Sequence, residues 1–311
     1  MEVQQRFQLH ELSEDPDRWE HLIRNEQRLA ETDLAARILL ESIYCEANRK
    51  ESFERFRAAA EFRTIRRILR LLNVETESRI CEIGAGPGHL TWALAQAGFT
   101  RLAVLEPNTH YVSGTGYLAS RPDADNIRFF SDEQSWYDDS ERYENIITHN
   151  CIHHFRSIGY VAACVRAKML PDARWFAFRE WYADTAIETR DRLNSHPYAL
   201  KYGVYEFPYS GPHYVQAIEA AGFTLETILP AGYADNVLAE YVPEPKLTHT
   251  DQLLELCLAY RPALLAKFFR LEHIIDTCTP AGIRLFTRPQ LMVFRRAELG
   301  REHTPGHKTY V

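Results

Sequence analysis

No cysteine pair in this chain has the C-x-x-C spacing of a zinc knuckle or a redox motif. The six cysteines (Cys45, Cys81, Cys151, Cys164, Cys257 and Cys278) stand apart, several inside apolar runs, and read as buried free thiols. No uncharged apolar run approaches the length of a membrane span. The opening MEVQQRFQLHELSEDPDRW is polar and acidic where a signal peptide would be apolar. These absences predict a soluble, cytoplasmic protein with no membrane partner. Basic charge is not in excess either: the net charge is −7, which argues against a broad nucleic-acid-binding surface. Internal repeats and low-complexity tracts are absent.

At 311 residues and 45% hydrophobic content, the chain has room for one large domain with substantial accessory parts. Its organising stretch is Arg79 to Asn108, RICEIGAGPGHLTWALAQAGFTRLAVLEPN. Ile80-Cys81-Glu82-Ile83 reads as a buried strand. Gly84, Gly86 and Gly88 follow at once, then Leu90, Ala93, Leu94 and Ala97 at helical spacing, with Gly98 as a stop. Leu102 to Leu105 is a second strand, ending on Glu106. Glycines let a backbone turn sharply and approach a ligand, and helix-start N–H groups point into the gap. An acid at the end of the next strand can accept both ribose hydroxyls. Glu106 lies 22 residues after Gly84, close to the roughly 20 of a nucleoside-binding βαβ unit.

The dinucleotide fingerprint G-x-G-x-x-G/A would put a small residue at position 89, where His89 stands. The third glycine comes one place earlier, and Glu82 precedes the loop. A carboxylate there suits an amine and a sulfonium better than a pyrophosphate. This E-x-G-x-G-x-G stretch with its downstream Glu106 resembles motif I and the following acidic position of the class I S-adenosylmethionine-dependent methyltransferases. The resemblance implies S-adenosylmethionine as cofactor, with Glu82, Gly84, Gly86, Gly88 and Glu106 around it. It also implies an adenine contact from Asp132, just past the strand Ile127 to Phe130, and a cofactor contact from His149, just past the strand Tyr143 to Thr148.

Alternating strands and helices predict an α/β fold with a doubly wound sheet. The resemblance makes that a Rossmann-like sheet of seven strands, the last antiparallel. Residues 1–74 read as an N-terminal helical region that could cover the cofactor as a lid. A single helix is expected to carry Phe53, Phe56, Phe62, Ile65, Ile68, Leu69 and Leu72. Residues 75–295 form the core, with insertions at about 179–213 (aromatic) and 230–283 (helical), and 296–311 is a polar tail. Long insertions in a compact α/β fold are usually functional, and these two are read as a substrate cap. Ile158, Val161, Val165 and Met169 mark one further helix; Gln290 to Phe294 marks the last strand.

Methyl transfer from a sulfonium asks mainly for alignment, worth roughly 7–11 kcal/mol. A hydroxyl acceptor gains a further 10²–10⁴-fold, roughly, from a general base. The candidates are His149 and His153 at the edge of the fourth strand and Glu180 past the fifth. The His149-Asn150-Cys151-Ile152-His153-His154-Phe155 segment resembles that of small-molecule methyltransferases. It lacks the Asn-Pro-Pro-Tyr or Asp-Pro-Pro-Tyr run of many enzymes that methylate nucleobase or amide nitrogen. A small-molecule hydroxyl oxygen is therefore the expected acceptor, with nitrogen or carbon of a small metabolite as the alternative. A non-catalytic, cofactor-binding partner subunit is the rival reading, and a homodimer is left open. No metal site is expected, because adjacent His153 and His154 would diverge on a helix and no acidic triad at metal spacing stands nearby.

Overall fold

Seven short runs, mostly apolar, build the sheet: β1 (Ile80–Ile83), β2 (Leu102–Leu105), β3 (Ile127–Phe130), β4 (Tyr143–His149), β5 (Met169–Phe178), β6 (Phe223–Leu229) and β7 (Leu291–Arg296). The computed structural model describes residues 16–196, 198, 202, 206–229 and 288–297. Strand order is β3-β2-β1-β4-β5-β7-β6. The first five strands run parallel, and β7 is antiparallel to both of its neighbours. The order reverses between β1 and β4, which opens a crevice at their carboxyl ends, where α/β sheets bind ligands. The seven-stranded doubly wound architecture is thus the one expected.

Both faces of the sheet are covered, which is why β1 and β2 are buried at every residue. On one face Cys81, Ile83, Ala103 and Ile146 meet α8 (Ile158–Ala167) and α10 (Gly211–Ala220) through Val161, Val165, Tyr214 and Ile218. On the other, Ile80, Leu102, Val104 and Ile147 meet α3 (Arg49–Ala58), α4 (Ala60–Leu71) and α5 (His89–Gln96) through Phe53, Ile65, Leu69 and Trp92. Fully burying each large apolar side chain contributes roughly 1.5–3 kcal/mol. The other α-helices among the described residues are α1 (Pro16–Leu29), α2 (Leu34–Ser42), α6 (Gly116–Ala119), α7 (Glu133–Asp138) and α9 (Ala186–Ser195).

Local chemistry sets several boundaries. The Asp33 carboxylate accepts from the N–H groups of Ala35 and Ala36 and starts α2. Asn48 caps α3 and Ser210 caps α10 in the same way. The single helix expected over Phe53 to Leu72 is two, because Ala59 is extended (φ −66°, ψ 152°) and ends the first. The stripe itself skips from Phe56 to Phe62, a step of six that no continuous helix face keeps. Met169, expected on α8, opens β5 instead, since Lys168 already closes the helix. The insertion at 230–283 and the tail beyond 297 lie outside the described residues, with Cys257 and Cys278; the other four cysteines are free and buried. Among the described residues no helix is long and apolar enough to cross a membrane.

Candidate active site

The three loop glycines after β1 all have positive φ: Gly84 at 66°, Gly86 at 52° and Gly88 at 83°. That conformation suits glycine and strains other residues. Gly88 also packs on α6, where a Cβ would stand 2.4 Å from Leu118 Cδ2. Gly86 differs, for a Cβ there would meet nothing within 4 Å. Its α-carbon faces open space beside β1, a cradle that a ligand can enter.

Two carboxylates flank this cradle. Glu106 is 5% exposed and accepts from Gly86 N–H at 2.7 Å and Asn108 N–H at 2.8 Å. Burial pushes its carboxyl up to about 7, against the pull of those two N–H groups. Glu82, at the end of β1, accepts from the N–H of Thr91 at 2.9 Å and from its hydroxyl, tying the strand end to α5. Burial likewise raises Glu82 to about 7.

The edge of β4 brings the next group. His149 Nε2 lies 2.9 Å from Glu61 Oε1, and Arg179 Nη1 reaches both oxygens of Glu61 at 2.9 and 3.1 Å. Glu61 comes from α4 and is 2% exposed. Burial alone would raise its carboxyl, but Arg179 and His149 outweigh it and hold Glu61 at about 2. An ionised Glu61 accepts, so His149 Nε2 carries the proton and Nδ1 is left as the basic nitrogen. Tyr44, Asn150 and Arg179 hold positive φ without being glycine (54°, 54° and 55°), and all three line the same cavity. Backbone strain of this kind concentrates at functional sites.

The cavity measures ≈ 520 Å³ and runs from Gly84 and Gly86 past Glu82 and Glu106 to His149. Trp19, Ile23 and Leu39 of the N-terminal helices wall it, as does Trp181 of the first insertion. Helix α1 is fastened there by Glu20, which accepts from Ser113 N–H and Oγ at 3.1 and 2.9 Å. A family model described as a methyltransferase domain matches residues 53–228, the segment that carries the loop, Glu61, Glu106 and His149. The chain belongs to that family.

Several solved structures are similar to this methyltransferase at low identity. A [4+2]-cyclase, SpnF, is 11% identical over 77% of this chain and 82% of its own, with a TM-score of 0.49. A 1,6-didemethyltoxoflavin-N1-methyltransferase of Burkholderia thailandensis, with bound 1,6-didemethyltoxoflavin and S-adenosylhomocysteine, is 15% identical over 78% and 80%, with a TM-score of 0.43. Mitomycin 7-O-methyltransferase is 19% identical over 66% and 56%, with a TM-score of 0.42. No curated protein matches the sequence.

Of the expected site residues in the methyltransferase, Glu82, Gly84, Gly86, Glu106, His149, His153 and Glu180 line the cavity. Gly88 supports the loop from behind, against Leu118. Asp132 is not brought there. Its side chain accepts from Ser135 N–H at 2.8 Å and Ser135 Oγ at 2.7 Å as the N-cap of α7, and it is exposed. In this structure that side chain is the cap of α7 and does not line the cavity. Glu180 is buried. Its oxygens accept from the N–H groups of Cys151, Ile152 and His153 at 3.4, 3.1 and 3.1 Å, and from His153 Nδ1 at 2.9 Å. With both oxygens so engaged, Glu180 shapes the turn after β4.

The argument from divergence fails for the histidine pair. His153 and His154 sit in a 3-10 turn (Ile152–His154), not an α-helix, and their ring centroids are 4.4 Å apart. Glu206, from the first insertion, joins them, with His196 Nε2 2.9 Å from its Oε2. The aromatic insertion splits in two: Trp181 and Tyr198 face the cavity, while Tyr182, Tyr209 and Tyr214 pack on the core. Sequence reasoning missed Glu61 and Glu206. A signal for Glu61 existed, since it shares a helical face with Ile65 and Ile68. A charged residue on an apolar stripe asks for a partner.

Proposed function

We propose that this methyltransferase uses S-adenosylmethionine to methylate a hydroxyl oxygen of a small molecule, with His149 as general base. The observation that carries the reading is the Glu61–His149 pair beside the glycine loop. The residues fit the cofactor: Gly86 leaves the cradle open, and Glu106 offers carboxylate oxygens to ribose hydroxyls. Bound there, S-adenosylmethionine would supply an electrophilic methyl carbon for an oxygen lone pair, with its sulfur as the leaving group. His149 Nδ1 takes the hydroxyl proton. Glu61 fixes the ring and the tautomer and stabilises the imidazolium that results, while Arg179 keeps Glu61 ionised. Helices α1 and α2 and Trp181 close over the cavity and exclude water. A cavity of ≈ 520 Å³ holds a small acceptor rather than a folded polymer.

The test is methyl transfer from labelled cofactor to a panel of hydroxylated and amine-bearing metabolites. Transfer to oxygen that His149→Ala abolishes, with cofactor affinity kept, supports the reading. Transfer to nitrogen alone, or a kinetically silent His149→Ala, overturns it.

A further inference from the structure

We propose that His153, His154 and Glu206 bind a divalent ion of the zinc class at the wall of the active-site cavity. The inference deepens the reading of that cavity as a methyl-transfer site and rests on it for the ion's use, though not for its binding. One ligand atom from each residue lies within 4.8 Å of the others. Bonds of roughly 2.1 Å in a tetrahedral site place neighbouring ligands about 3.4 Å apart. Small rotamer shifts therefore close the cage without moving the backbone.

Three features go beyond proximity. The first is the donor set. Two imidazoles and one carboxylate are the ligands of catalytic zinc sites that keep a fourth position open. Imidazole nitrogen favours zinc, cobalt or nickel over the hard ions magnesium and calcium.

The second feature is the support behind each ligand. His153 Nδ1 is 2.9 Å from Glu180 Oε2, so Nε2 is the nitrogen turned to the ion. Glu180 is itself anchored by three backbone N–H groups, and the His153 side chain is 3% exposed. A carboxylate behind a ligating histidine fixes its tautomer and raises its basicity. Glu206 is held in turn by His196.

The third feature is position. The three ligands, Glu180 and His196 all line the cavity that holds the glycine loop and His149. Trp19 and Trp181 pack edge-on against His154 and His153, which keeps the cluster partly dry. An ion there presents its open position to the acceptor, and favours one that offers an oxygen ligand. The competing arrangement is a metal-free network, in which His196 and His153 hydrogen-bond to Glu206 and Glu180.

The experiment uses the full chain, stripped by chelator and titrated with Co²⁺ alone for its visible d–d absorption and with Zn²⁺ alone by calorimetry. One equivalent bound is expected, weakened at least ~100-fold in His154→Ala and in Glu206→Gln and about tenfold in His196→Ala. S-adenosylhomocysteine affinity, measured on the same samples, should stay within about threefold in all three variants and report that they are folded. No one-equivalent binding, or binding unchanged in both His154→Ala and Glu206→Gln, overturns the metal site. Metal binding without S-adenosylhomocysteine binding leaves the site standing and overturns the methyl-transfer reading; the reverse pattern does the opposite.

Discussion

Replacing Glu61 by glutamine removes a charge that two cavity residues share. The side chain is 2% exposed, and both oxygens are engaged, one by His149 at 2.9 Å and both by Arg179 at 2.9 and 3.1 Å. An isosteric amide keeps the volume, so no cavity forms. The loss is electrostatic: the Arg179 guanidinium stays, without its counter-charge. Removing one partner of a buried pair costs roughly 3–5 kcal/mol. The Arg179 side chain is 24% exposed and partly hydrated, which places Glu61→Gln near the lower bound. Urea unfolding should show that loss. Turnover should fall further, by at least about 100-fold, because an amide N–H can face His149 Nε2 and move the ring proton to Nδ1, where the substrate proton must go. S-adenosylhomocysteine affinity should change by less than about threefold. Unchanged turnover in a destabilised but folded protein would refute Glu61 as the group that orients the base.

Four further outcomes are expected. Glu106→Ala should leave the protein folded yet weaken S-adenosylhomocysteine at least tenfold, since a charge-assisted hydrogen bond contributes about 1.5–3 kcal/mol; unchanged affinity in a titration would remove its ribose role. Gly86→Ala meets no atom within 4 Å, so beyond about 1–2 kcal/mol of backbone strain at φ 52° it should harm cofactor binding, not the fold; normal binding would show that the loop is not the cradle. Glu82 and Glu106 are neutral in both states below 4.5, and the unfolded chain ionises first as pH rises toward their folded values of about 7. Ligand-free stability should therefore fall between pH 4.5 and 7, by up to about 3 kcal/mol for each group. Glu61, at about 2, acts the other way, but only below pH 4.5. Bound ribose hydroxyls favour ionised Glu106, so S-adenosylhomocysteine should bind more tightly as pH rises through 7. Urea melts at pH 5 and 7.5 check the first statement, and a rise in stability, or a fall undiminished in Glu106→Gln, would contradict it; titrations at the same two pH values check the second.

The parts of the molecule that local physics specifies were legible in the sequence. Gly84, Gly86 and Gly88 must turn where they do, β1 and β2 must be buried, and the distance from Gly84 to Glu106 is set by one helix and one strand. Asp33 starts α2 by chemistry that acts within three residues. What escaped depends on contacts distant in sequence. Glu61 meets His149 across 88 residues and Arg179 across 118. Glu206 reaches His153 and His154 only because the first insertion folds back over β4. Asp132 was legible by its place after β3, and its part as the cap of α7 comes from Ser135, three residues on.

The central claim is a cofactor held by the glycine loop and Glu106. Calorimetric titration of the purified protein with S-adenosylhomocysteine, beside NADH as control, tests it most directly. The account expects micromolar binding of S-adenosylhomocysteine, weakened by Gly86→Ala and Glu106→Ala, and none of NADH. Binding of NADH alone, or of neither, would contradict it.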